Sequence, residues 1–194
     1  MTLQETLGKR LIYLDGGMGT MLQAAGLRGG EVPEGWNLSH PEAVKAVHRA
    51  YLDAGCDIVT DTQMARAGIN KTILASLGGE VHCFMSDADV AAEAKARGVT
   101  RAFVSMERAA ALPKPCIFAI GNAPTALIRL CELIDAGEAR PALVVGVPVG
   151  FVNVIESKER LARTAVPSIV AMGRKGGSAV ASAILNALLY GITR

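Results

Sequence analysis

Residues able to hold an anion recur at three places in the second half of the chain. Gly121-Asn122-Ala123-Pro124-Thr125 follows the apolar run at 115–120. Gly146-Val147-Pro148-Val149-Gly150-Phe151-Val152-Asn153 follows 142–145, and Gly173-Arg174-Lys175-Gly176-Gly177-Ser178 follows 168–172. Each leads towards a helix, whose first turn offers backbone N–H groups and partial positive charge to anions. The third adds Arg174 and Lys175, which suit carboxylates or phosphates. No G-x-x-x-x-G-K-[ST] occurs, and Gly17-Met18-Gly19 lacks the third glycine of a dinucleotide fingerprint. Singly, each loop reads as turn chemistry. Together on one sheet edge they predict a site for a polyanionic small molecule.

Metal and thiol chemistry find less support. Cys56, Cys83, Cys116 and Cys131 are widely spaced, with no C-x-x-C, and read as small buried hydrophobes in a reducing compartment. His40, His48 and His82 form no H-x-x-x-H and do not flank a cysteine at ligand spacing. No metal site is expected.

The elements that would position these loops alternate along the chain. Strands are predicted at 10–15, 56–60, 80–85, 101–105, 115–120, 142–147 and 168–171. Helices are predicted at 20–25, from the capping box Ser39-His40-Pro41-Glu42 to about Ala54, and at 71–77, 87–97, 122–136, 157–164 and 178–190. Such alternation implies right-handed crossovers, hence a three-layer α/β/α sandwich with a mainly parallel, doubly wound sheet of flavodoxin-like or Rossmann-like type. Ligands then sit beyond the carboxyl ends of the strands. One domain, 1–194, is expected.

Composition narrows the classes. Twenty Lys+Arg against 18 Asp+Glu leave a net charge of +2, with no basic footprint for nucleic acid. A hydrophobic content of 51% excludes a disordered chain. Residues 142–155 are too short and glycine-broken to span a membrane. Residues 176–193 are longer, but Ser178, Ser182 and Asn186 recur on one helix face, so a terminal helix docked on the sheet is expected rather than a tail anchor. With no apolar signal core at 1–10, a cytoplasmic protein is expected.

Two family resemblances add to this. Asp61-Thr62-Gln63-Met64, Ala67-Gly68-Ile69-Asn70, the run from Ala119 through Gly121-Asn122 to Leu127, Gly146 to Val152, Glu156-Ser157-Lys158-Glu159 and Gly173 to Ser178 resemble precorrin-8X methylmutase of cobalamin biosynthesis. Leu14-Asp15-Gly16-Gly17-Met18-Gly19-Thr20, Gly29-Gly30-Glu31, Glu34-Gly35-Trp36-Asn37-Leu38, His40-Pro41-Glu42 and the run from Tyr51 to Val59 resemble the start of the homocysteine methyltransferase barrel of cobalamin-dependent methionine synthase. The pair implies a sub-domain chimera, engineered or else an unusual natural recombination, with a barrel fragment at 1–58 replacing the N-terminal unit of a methylmutase at 59–194.

The methylmutase resemblance implies migration of a methyl group between adjacent ring carbons of a corrin precursor, with no redox cofactor and with a histidine as proton donor. In that family the histidine lies ahead of the segment matching Asp61–Met64, so little or no turnover is expected of a chimera, and the catalytic residue is unknown. The alternatives are an active methylmutase and a corrin-binding protein without catalysis. The zinc-ligand cysteines of the methyltransferase family have no counterpart. Ligand contact is expected at Asp61, Thr62, Gly121, Asn122, Thr125, Gly146, Pro148, Gly150, Phe151, Arg174, Lys175 and Ser178, with no metal, no nucleic acid and no membrane partner. The family forms homodimers, so a dimer is implied, or a monomer if the replaced unit made the interface.

Overall fold

The computed structural model describes Leu14–Asp15 and residues 55–193. The predicted helices before Gly55, together with His40 and His48, lie outside the described residues. Among the described residues, six strands form one sheet: β1 (Leu14–Asp15), β2 (Asp57–Thr60), β3 (Val81–His82), β4 (Cys116–Ile120), β5 (Leu143–Gly146) and β6 (Ser168–Val170). Their spatial order is β1-β6-β5-β4-β2-β3. β2 to β6 are mutually parallel, and only β1 is antiparallel, pairing Leu14 with Ile169 and Asp15 with Ser168. The chain steps from β2 outward to β3 and then returns past β2 to β4, so the winding reverses between β2 and β4. That reversal is where doubly wound sheets open a ligand crevice.

Seven α-helices are described: α1 (Gln63–Gly68), α2 (Lys71–Ser76), α3 (Ala88–Arg97), α4 (Arg101–Ala110), α5 (Pro124–Asp135), α6 (Val154–Ala162) and α7 (Ser178–Thr193). They cover both faces because alternate strand residues point opposite ways. In β4, Cys116, Phe118 and Ile120 face Met106 of α4, Leu127 and Leu130 of α5 and Leu161 of α6. Ile117 and Ala119 face Leu74 of α2 and Ala181, Leu185 and Leu189 of α7. The predicted three-layer sandwich is the observed one.

Two predicted strands differ. Residues 101–105 are the start of α4, not a strand. The Thr100 hydroxyl accepts from the Phe103 N–H, which caps a helix, and Ala102, Ser105, Met106 and Ala109 are buried at helical spacing. The apolar Phe103 and Val104 mimic a strand, but the cap and the period of the next turn prevail. Residues 80–85 hold only the two-residue edge strand β3, because Phe84–Ser86 closes into a 3₁₀ turn. The segment α1, between β2 and β3, was not predicted at all.

The last helix answers the membrane question locally. No helix among the described residues is long and apolar enough to cross a membrane. The Ser178, Ser182 and Asn186 stripe faces α1 and the α1–α2 corner. Asn186 accepts from the Asn70 N–H at 2.8 Å and donates to the Gly68 carbonyl at 2.8 Å. A Cβ on Gly68 would meet Ser182 Oγ at 2.7 Å, so only glycine lets the two helices approach this closely.

At the sheet's other edge, Asp57 anchors β3. Its carboxylate accepts from the Glu80 N–H at 2.9 Å, hydrogen-bonds His82 Nε2 at 3.1 Å and lies 3.5 Å from Lys114 Nζ. Burial alone would raise the Asp57 pKa, but the Glu80 amide, the His82 ring and the Lys114 ammonium hold it below the ordinary value. A depressed carboxylate pKa stabilises the fold fully above the unfolded value, about 3.9, and that contribution is lost as pH falls through the folded value. Asp57→Asn should therefore lower stability at neutral pH and narrow its gap to the unmodified protein below about pH 4. Urea unfolding across that range measures it, and a gap independent of pH would contradict the assignment.

Candidate functional site at the switch point of the sheet

The loop after β4 is held by the residue after β2. Asp61 is fully buried, and its carboxylate accepts from the N–H groups of Gly121 at 2.9 Å, Asn122 at 2.7 Å and Ala123 at 2.7 Å. Burial pushes the Asp61 carboxyl above its ordinary range, while the three amide donors pull the other way. The first predicted anion loop is thus already occupied: its N–H groups serve an anion built into the protein. Asn122 and Thr125 are exposed beside it, and Ala123, not Asn122, is the residue capping α5.

Thr62 caps α1, accepting from the Ala65 N–H at 3.1 Å, and its hydroxyl lies 2.7 Å from the hydroxyl of Ser178 at the start of α7. Gly121 is the floor of this contact, since a Cβ there would lie 2.6 Å from the Ser178 Cα. The loops after β2, β4 and β6 are therefore one packed unit.

The loop after β5 joins them through Val147, whose carbonyl accepts from the Gly177 N–H at 2.9 Å. A Cβ on Gly176 would lie 2.0 Å from that oxygen. Gly146 sits beneath Leu161 and Pro148 is buried, so these two shape the loop from inside. Gly150 and Phe151, with Val149, face Arg174, Lys175 and Gly176 across a recess of about 380 Å³. Phe151 is 86% exposed and Val152 77%. No carboxylate among the described residues pairs with Arg174 or Lys175. An exposed apolar rim thus adjoins two cations that have no carboxylate partner among the described residues.

One residue of this region was not singled out as a site residue. Lys158 of α6 is fully enclosed, and its ammonium donates to the carbonyls of Gly173 and Lys175, each at 2.8 Å. A lysine flanked by Ser and Glu on an amphipathic helix carries no sequence mark of burial, so only the fold reveals it.

The remaining candidates lie elsewhere. His82 turns to Asp57 and stacks on Phe84, away from the loops. All four cysteines are buried and free. Burial raises the Cys116 thiol to about 11 and the Cys131 thiol to about 12, so neither is a thiolate at neutral pH. Among the described residues, no group of three His, Cys, Asp or Glu side chains could hold a metal ion.

This arrangement defines a doubly wound α/β protein whose loops after β2 and β4 pack together at the winding reversal, and whose recess, faced by apolar and cationic side chains, lies farther along the same edge between the loops after β5 and β6. The precorrin-8X methylmutase family (CbiC) matches residues 37–191, and the chain belongs to that family. It is similar to a cobalt-precorrin-8 methylmutase of Priestia megaterium, 50% identical over 151 residues that cover 78% of this chain and 67% of the relative. It is also similar to one of Leptospira interrogans, 46% identical, covering 77% and 71%. Among solved structures, the precorrin-8X methylmutase of Thermus thermophilus superposes with a TM-score of 0.69 at 33% identity, covering 91% of this chain and 95% of that one.

These comparisons overturn the expected chimera. The family match begins at residue 37, well inside the segment assigned to a methyltransferase barrel, and runs through the supposed seam without a break. At that seam β2 pairs in parallel register with β4, Asp57 to Cys116 through Thr60 to Ala119, as an ordinary central strand. The barrel resemblance rests on short strings, and glycine-centred strings recur in βα units of different folds for the same steric reasons.

Asp61→Asn should cost about 2–4 kcal/mol, because an amide presents an N–H to donors that need an acceptor. Urea unfolding measures the loss, and a change under about 0.5 kcal/mol, the scale of an ordinary surface substitution, would show that the clamp is dispensable.

Proposed function

We propose that this chain is a precorrin-8X-type methylmutase, which binds a corrin precursor at the carboxyl edge of the sheet and moves a methyl group between adjacent ring carbons. The observation that carries this reading is the exposed Phe151 surface beside Arg174 and Lys175, both exposed and neither paired with a carboxylate among the described residues. A corrin precursor is a large, mostly apolar ring fringed with carboxylates. Phe151 and Val149 would cover part of the ring, while Arg174 and Lys175 would pair with the fringe. Gly150 allows the Phe151 loop to turn at φ 135°. Asp61, Thr62 and Ser178 hold the loops in register and need not touch the ligand.

The migration is redox-neutral, so the reading requires no electron-carrying cofactor. It requires a proton donor, and a histidine suits neutral pH. His82 is committed to Asp57, and His40 and His48 both lie within the family-matched residues, so one of those two is the proposed donor. A homodimer and a single domain are proposed on family grounds, and sizing chromatography checks the first.

Titration with hydrogenobyrinic acid, followed by visible absorbance, should show saturable binding. Arg174→Gln/Lys175→Gln should weaken it about 10- to 100-fold, the value of one or two charge-assisted bonds. Conversion of precorrin-8X should fall by about 10²–10⁴ in His40→Ala or His48→Ala. Binding without turnover would leave a corrin-binding protein, and no binding would overturn the reading altogether.

A further inference from the structure

Resting on that reading, we propose that Lys158 is a positioning residue for ligand carboxylates: its enclosed ammonium grips the carbonyls of Gly173 and Lys175 and so fixes the backbone from which Arg174 and Lys175 reach the recess. The two carbonyls lie on either side of Arg174, each 2.8 Å from Nζ. The side chain crosses from α6, on one layer of the sandwich, to the loop after β6. The loop's far end is tied by the Gly177 N–H to Val147, but the stretch bearing the cations lies between glycines at 173 and 176, and Gly173 has positive φ. A glycine-rich loop bearing two cations would sample many conformations without a fixed anchor.

An ordinary core lysine is the alternative, and the surroundings argue against it. The ammonium has no carboxylate partner among the described residues, and its third N–H finds no protein acceptor there. Taking a charge out of water is costly, and two carbonyl dipoles offset that cost only in part. The same burial lowers the Lys158 pKa from its ordinary value. A methionine of similar length would fill this space without that cost. What the lysine alone provides is a pair of directed N–H bonds to the loop backbone.

The test is a double-mutant cycle read by titration with hydrogenobyrinic acid. It compares the unmodified protein, Lys158→Met, Arg174→Gln/Lys175→Gln and the combination of all three. If Lys158 acts by holding the loop, Lys158→Met raises Kd about tenfold, and raises KM for precorrin-8X more than it lowers kcat. In the background lacking both cations it then adds less than about twofold, because nothing remains to position. An equal loss in both backgrounds means a long-range charge effect or general loosening and overturns the proposal, as does no loss at all. Failure of the unmodified protein to bind overturns the functional reading, and this inference with it.

If Lys158→Met does not fold, the lysine ammonium signals of the ¹⁵N-labelled unmodified protein decide. A slowly exchanging ammonium that shifts on adding hydrogenobyrinic acid supports the clamp. A fast-exchanging one, or one indifferent to saturating ligand, overturns it.

Discussion

Three backbone N–H groups of the loop after β4 converge on the carboxylate of Asp61, and Asp61 is the residue that follows β2. The winding of the sheet reverses between these two strands, so their loops diverge towards opposite faces unless something ties them. A buried carboxylate with three charge-assisted bonds is a strong tie, each bond contributing about 1.5–3 kcal/mol against the desolvation of one charge. Once it is made, Gly121 lies against Ser178, Thr62 meets the Ser178 hydroxyl, and α7 is brought to the same edge. Along this edge the polar groups of Asp61, Thr62 and Ser178 bond to protein partners.

That bonding shapes the chemistry. A helix N-terminus preceded by glycine invites an external anion, yet at α5 the anion is internal. Arg174 and Lys175, on the loop after β6, have no such carboxylate among the described residues. Helix-end polarity at α5 is therefore used for architecture. The outer layer follows a similar economy: Arg97, Glu107, Arg129 and Glu132 link α3, α4 and α5 as alternating charges, with the Arg129 guanidinium 4.5 Å above the Phe103 ring. This leaves that face well paired and unlike the open Phe151 edge.

The stripe on α7 shows how local polarity decides between a docked and an inserted helix. Ser182 and Asn186 would each be costly in hydrocarbon, but against α1 they meet a glycine and free backbone groups. The mistaken division of the chain at residue 58 has a related lesson. Short strings around glycine report turn geometry, which many βα units need alike, whereas a long ordered series of loop motifs reports which strands must lie side by side. The series from Asp61 to Ser178 was the informative one.

The sequence by itself determined the layering: strand runs of apolar residues between capped helices can bury their surface only as a sheet covered on both sides, and the glycine loops fall at the carboxyl ends of its strands. It also carried the docking of the last helix, through three polar residues four apart. Residues 101–105 were illegible because five residues are too few to separate helical from extended burial, and the cap at Thr100 had to be seen in space. Tertiary structure alone decided that Asp61 occupies the first anion loop, that Gly146 and Pro148 turn inward, and that Lys158 is enclosed. Those are contacts between residues 15 to 62 positions apart, set by strand order, and strand order arises from the packing of the whole sheet rather than from any local run.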